Sequence, residues 1–339
     1  MATRVLLTID TELTWRHFAR GADWRENLAL SFDPASVGVP WQLEQLARHG
    51  VKACFFVDPM PALVYGIEPI RRMVAPIVAA GQEIQLHCHS FWWDLANFRQ
   101  HRARFELTTF DAEEQRVLIA TARDLLIDAG APPPTAFRSG SYAANVDTIA
   151  ALASLGIGHD SSHNGAEHPW PSALPLDAHL VDPMPLLGVT ELPVSQIRRR
   201  DGGLRPLQLC ALSSEEMHAA LRHADANDHP VVTIVSHSFE LASRDGRRVN
   251  RLVRKRFERL CAFLEVHRAT LPTVAIGDLP AFAAPGTRSQ PLPPRPLRTV
   301  RRLVEQGWGN AVYERPTLTA GAVAAPLAGL GLLVSNGRL

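Results

Sequence analysis

Little in this sequence points to a disulfide scaffold, a nucleotide fold or a strongly charged partner. Its 339 residues hold four cysteines, Cys54, Cys88, Cys210 and Cys261, with no Cys-x-x-Cys pair. So wide a spacing excludes the dense cystine framework of small secreted domains and reads as reduced, mostly core thiols. Formal net charge is only +1, which leaves no global field to gather nucleic acid or an acidic partner. No Gly-x-Gly-x-x-Gly follows the first apolar run and no Walker loop occurs, so nucleotide-cofactor folds lose ground. The N-terminal apolar run meets Asp10 far too early for a signal peptide, and the expectation is a protein that stays in the cytoplasm.

What is present is enough apolar residue, 46% against 20% charged, to bury a sizeable core in one large domain. Thr3 to Ile9 and Val51 to Val57 are continuous rather than alternating apolar runs, as strands buried on both faces are. A long polar, aromatic loop to Phe32 follows the first. Helical spacing covers Ser36 to Arg48, Ile70 to Ala80 and Asp111 to Ala129, the last with Asp111 as a cap and Gly130 as a stop. Thr135 to Arg138, Ile157 to Asp160, Pro230 to Ser236 and Pro272 to Ile276 read as further strands, with helices from Asn145, Ser213 and Val249. Seven alternations of strand and helix predict a parallel α/β sheet, and their even spacing favours closure into a barrel.

Residues 1–284 then form the barrel, with Pro-rich inserted loops over about 161–212, and 285–339 form a Pro/Arg-rich linker and an apolar C-terminal tail. The tail is uncharged from Pro316 to Gly337. It is long enough to be weighed as a spanning segment, although Pro326 and its glycines favour a loosely packed tail. Arg288, Arg295, Arg298, Arg301 and Arg302 before it read as a solvated face, or as a contact with anionic headgroups at the inner membrane surface.

Glu83 to Ser90 is the stretch that organises the rest. On a strand, His87 and His89 share a face and Cys88 takes the other, which brings two imidazoles within reach of one metal ion. The same spacing also suits two unrelated histidines on a wet loop. In a parallel barrel, functional groups collect at the C-terminal ends of the strands. The strand ends here carry Asp10-Thr11-Glu12, His87-Cys88-His89, Arg138, Asp160 and His237, which favours a site over coincidence.

That set resembles the polysaccharide deacetylases, the NodB-homology group or carbohydrate esterase family 4, over roughly Thr3 to Leu279. The resemblance implies a distorted seven-stranded (β/α) barrel. Asp10 and Glu12 stand for the family's acidic pair. Gly81-Gln82-Glu83-Ile84 and then His87 stand for its histidine motif, with Phe91 where the commoner second histidine falls, so that His89 must serve instead. Phe137 to Tyr142 stands for the arginine motif, and Ile234 to Phe239 for the strand that ends in a histidine.

The resemblance implies a divalent ion, Zn2+ by preference, on Glu12, His87 and His89. It makes Asp10 the general base oriented by Arg138, and His237 the acid. It places oxyanion donors near Ser141 and Tyr142. Apart from the resemblance, Phe91, Trp92 and Trp93 read as an aromatic loop that suits stacking on a sugar ring and equally suits packing on the barrel rim. Asp160 is expected behind a histidine, raising its basicity. The implied reaction removes the N-acetyl, or as second choice the O-acetyl, group of an amino sugar in a glycan or glycan precursor. A lipid- or nucleotide-linked sugar is the expected carrier. The alternatives are a metal-independent amidohydrolase resembling allantoinase and a catalytically degenerate carbohydrate-binding module.

Overall fold

The structure, a computed structural model, describes residues 2–98, 104–283, 289–309 and 312–313. Strand β1 (Arg4–Thr11) leads through short helices α1 (Trp15–Phe18) and α2 (Trp24–Ser31) to α3 (Val39–His49) and β2 (Cys54–Val57). Helices α4 (Ala62–Tyr65) and α5 (Glu68–Ala79) precede β3 (Glu83–Cys88), and α6 (Phe91–Phe98) and α7 (Ala112–Asp128) precede β4 (Ala136–Ser139). Helix α8 (Val146–Ser154) and β5 (His159–Asp160) open an insertion holding β6 (Met184–Leu186), β7 (Val189–Glu191), β8 (Gln196–Arg198) and β9 (Leu204–Pro206). Helix α9 (Ser214–Ala226), β10 (Val231–His237), α10 (Arg251–Val266) and α11 (Pro296–Gly309) complete the order. The long loop expected between Asp10 and Phe32 contains two helices, the second capped by the Asp23 carboxylate, which accepts from Glu26 N.

The main sheet runs β10-β1-β2-β3-β4-β5-β7-β6, parallel except for the β6–β7 hairpin. Its seventh parallel strand comes from the insertion, not from Pro272 to Ile276. That segment reaches the sheet at one bridge, Val5 to Thr273, below the point where β2 begins to pair with β1. The gap between β7 and β10 is crossed by the chain between them. Leu192 N donates to Asp160 O, Ser195 N to Thr233 O at 3.1 Å, and Leu209 N to Val235 O at 2.9 Å. The result is the curled, distorted α/β barrel that the run of strand and helix predicts.

Side-chain alternation divides the strands between two environments. Val5, Leu7 and Ile9 of β1 and Ile84, Leu86 and Cys88 of β3 join the large core under the helices. Leu6, Cys54, Phe56 and Ala136 form a smaller cluster with Leu192 and Val231 inside the curl. Above that plug the inward positions turn polar: Thr8, Asp10, Gln85, His87 and Arg138, all buried. The period of two therefore sends Cys88 to the apolar side and His87 to the polar mouth.

Helix α11 docks on the barrel through two ion pairs, Arg302 Nε to Glu216 Oε1 at 3.2 Å and Arg256 Nη2 to Glu305 Oε2 at 2.7 Å. Arg298 and Arg302, read from sequence as part of a solvated face, are buried. Among the described residues no helix is long and apolar enough to cross a membrane. The apolar stretch from Pro316 onward lies outside them.

Candidate metal centre and acid–base site

Glu12, just past β1, faces the two imidazoles at the end of β3. His89 Nε2 contacts Glu12 Oε2, and His87 Nε2 lies 3.5 Å from the same oxygen. One donor atom from each of Glu12, His87 and His89 falls within 4.8 Å of the other two. The imidazole rings stand edge to face, with centroids 4.9 Å apart. His87 Nδ1 donates to the Arg138 carbonyl at 2.8 Å, which fixes the tautomer and leaves the Nε2 lone pair facing Glu12.

Burial pushes the Glu12 carboxyl up, but the charge of His89 and contact with both imidazoles outweigh it and hold the group well below the usual range. Burial opposes the charge on His89, yet Glu12 carries that imidazole to about 9. Glu12 Oε2 is buried and accepts no hydrogen bond of acceptable geometry. Two nitrogens and one carboxylate oxygen aimed at a common point fit a divalent ion and leave open positions, as catalytic rather than structural sites do.

The outer face of His89 rests on Gly140, where a Cβ would lie 2.3 Å from His89 Nδ1. Gly140 has no positive φ to protect, so Gly140→Ala strains the contact and not the backbone. The ring must swing away from Glu12. Metal affinity of Gly140→Ala, measured by competition with a chelator, should fall on the order of 10- to 100-fold. Unchanged affinity would remove His89 from the ligand set.

Beside this trio lies a buried ion pair. Asp10 Oδ1 accepts from Arg138 Nη1 at 2.6 Å, and Arg138 also donates to Thr8 Oγ1 (2.8 Å), Ser161 O (3.1 Å) and Ser161 Oγ (3.0 Å). A planar fork held by four hydrogen bonds fixes its own position and that of the carboxylate it grips. His237 Nε2 stands 3.8 Å from Asp10 Oδ2, and its Nδ1 meets Glu240 Oε1 at 2.7 Å. Burial opposes the charge on His237, but Glu240 first, then Asp10 and Glu12, carry it to about 9.

Ser141 and Tyr142 form a tight turn with φ of 55° and 58°, left-handed backbone that is costly for residues other than glycine. Ser139 holds it: its backbone N–H donates to Ser162 Oγ at 3.0 Å and its Oγ donates to Ala143 O at 2.7 Å. The Tyr142 ring is half-buried; burial, then the charge of Asp10, push its hydroxyl up.

Two of the expected placements differ. Trp92 lies in a helix, not a rim loop. It is 0% exposed, and the rings of Phe18, Tyr65 and Phe91 surround it, so it offers no face to a sugar. Asp160 does not stand behind a histidine. It accepts from Ser162 Oγ at 2.7 Å and faces Glu191 across the β5–β7 pair. Burial raises both acids, and the pair supports the serines that carry Arg138 and the Ser139 turn.

Two residues escaped the sequence. Asp58 directly follows β2, fully buried, and burial lifts its carboxyl to about 6 against the charges of His89 and His87. It sits at a strand end, as Asp10 and His237 do, and the same rule applied to β2 finds it. Glu240 is three residues beyond His237, a separation that only the turn after β10 turns into a contact.

The family model for polysaccharide deacetylase matches residues 21–158, a stretch that includes His87, His89 and Arg138. No curated protein matches the chain. Among solved structures, one described as a polysaccharide deacetylase from Mycobacterium smegmatis shares 21% identity over 84% of this chain and 95% of that one, with a TM-score of 0.48. A polysaccharide deacetylase from Pseudomonas aeruginosa shares 16% over 82% and 89%, with a TM-score of 0.49. A family 4 carbohydrate esterase from Streptomyces lividans in complex with acetate shares 13% over 84% and 98%, with a TM-score of 0.40. Over residues 21–158, which include the strands that carry both histidines and the buried arginine, the chain is similar to the polysaccharide deacetylase family.

Proposed function

We propose that the protein is a metal-dependent deacetylase that hydrolyses the N-acetyl group of an amino sugar in a glycan or glycan precursor. The observation that carries this is the convergence of Glu12, His87 and His89 beside the Asp10–Arg138 pair at one mouth of the barrel. Glu12, His87 and His89 would hold a divalent ion, which when bound supplies Lewis acidity to an acyl carbonyl and to a water. Asp10, held in place by Arg138, takes the proton of the attacking water. The backbone N–H groups of Ser141 and Tyr142 are the candidate donors to the oxygen that gains charge. As the C–N bond breaks, His237 gives its proton to the departing nitrogen, and acetate and a free amine result. The non-enzymatic alternative is weakened by the reach of His89 to the same carboxylate as His87.

The test is metal content of the purified chain together with acetate release from N-acetylhexosamine compounds. One ion per chain and metal-dependent acetate release support the proposal. Amide hydrolysis that survives removal of all metal would favour the allantoinase-like alternative.

The acid carries its own prediction. Because Glu240 raises His237 to about 9, turnover should hold through neutral pH and fall above about pH 9. In Glu240→Gln that limb should move down toward the ordinary imidazole value of about 6.5. Stability follows the same sign. The raised pKa contributes fully below about 6.5 and its contribution is lost as pH rises through about 9. A pH–rate profile with the same basic limb in both proteins would remove His237 as the acid.

A further inference from the structure

We propose that the cavity beside His237 is a subsite for an anionic oxygen group, phosphate or carboxylate, carried by the substrate next to the amide that is cut. The assignment rests on the deacetylase reading and narrows its substrate class. Two cavities adjoin at the mouth of the barrel. One, of about 240 Å3, is bordered by Glu12 and His89. The other, of about 440 Å3, is bordered by His237 and Glu240, a volume in the range of small-ligand sites. Arg16 and Phe239 belong to the walls of both, with the Arg16 guanidinium 5.1 Å from the Phe239 ring centre. A ligand whose acyl group meets the metal-binding trio therefore continues past Phe239 into the larger space.

The larger wall is unbalanced in charge. It contains Arg16, Arg244 and Arg256, and Glu240 is its one acid. That carboxylate already receives His237 Nδ1 at 2.7 Å and Gln208 Nε2 at 2.5 Å. Arg256 is only 4% exposed. Its Nη1 donates to Cys210 O and its Nη2 to Glu305, while its buried Nε makes no hydrogen bond. Arg244 is exposed at the mouth, and its carbonyl accepts from Arg16 Nη1 at 3.2 Å, which ties the two arginines together. Behind them His17 is held near 4, by burial and then by Arg16, Arg20 and Arg247, so the imidazole there stays neutral and the positive field comes from guanidinium groups. A neutral sugar has nothing to answer that field. An oxyanion in a partly enclosed pocket pairs with guanidinium in charge-assisted hydrogen bonds.

The experiment compares three probes on the full chain: N-acetylglucosamine, its 1-phosphate and N-acetylmuramic acid. Binding is followed by calorimetry and, separately, by acetate release. At least one anionic probe should bind about tenfold more tightly than the neutral sugar, a margin that shrinks as salt rises. The phosphate and carboxylate arms distinguish the two sources. Arg244→Ala should remove the margin through KM with kcat little changed, Arg244→Lys should retain part of it, and Arg16→Ala provides a second variant. Equal affinity for all three probes, or a margin that both alanine variants keep, overturns the subsite. An arginine-dependent margin with no acetate released would leave the subsite standing and sink the deacetylase reading; acetate released without preference would do the reverse.

Discussion

Asp10→Asn should lower the rate of acetate release by about 10²- to 10⁴-fold, the range expected when a positioned general base is lost, while the ion remains bound. Asn keeps the shape of the side chain and removes its basicity. Metal content should be unaffected because Asp10 is not among the three converging donors. Stability is the complication. Arg138 is 0% exposed and Asp10 is its counter-ion, and breaking a buried pair by deleting one charge costs about 3–5 kcal/mol. The actual loss should be smaller, because the Asn amide oxygen still accepts from Nη1 and the fork keeps Thr8 and Ser161. Melting temperature and metal content, measured beside turnover, separate the effects. A lowered melting point with full metal loading and almost no turnover assigns the chemistry to Asp10. Turnover within about threefold of the parent sinks the assignment, since loss of a base cannot be that mild.

The same pair shows why some of the site was legible in the sequence and some was not. Asp10, His87, Arg138 and His237 sit at strand ends inside a parallel sheet, and period-two alternation fixes which face each takes before any contact is known. Continuous apolar runs locate β1 and β2, and Gly81 marks where β3 begins. What the sequence could not supply were relationships set by three-dimensional packing. Trp92 looks like a rim aromatic by its neighbours in sequence, but a helix starting at Phe91 turns it under Phe18 and Tyr65. Asp160 is a strand-end acid like Asp10, yet its strand neighbour is Glu191, from an insertion whose pairing no local pattern announced. Pro272 to Ile276 has strand composition, but the seventh parallel strand is β7 of that same insertion, and this segment keeps one bridge to β1. Asp58 was readable by the rule already in use, while Glu240 depended on the turn after β10.

Glu12→Gln should abolish metal-dependent stabilisation and, with it, nearly all acetate release. In the metal-free protein the carboxylate serves as counter-ion to His89, whose raised pKa of about 9 depends on it. Gln removes that charge, and His89 then sheds its proton at neutral pH instead of remaining as an uncompensated buried cation. The chelator-treated variant should therefore melt close to the chelator-treated parent. Added ion separates them. A ligand at 100 times its dissociation constant stabilises the native state by about 2.7 kcal/mol, and the parent should show the corresponding rise in melting temperature. The variant offers two imidazoles and a neutral amide oxygen, a far weaker set for a divalent cation, and should show almost no rise. Metal uptake by the parent should also release protons, since His89 must be neutral to ligate. A variant that rises in melting temperature as the parent does, or a parent indifferent to every divalent ion tried, would mean that Glu12 and the two histidines form an ion-pair cluster and not a metal site.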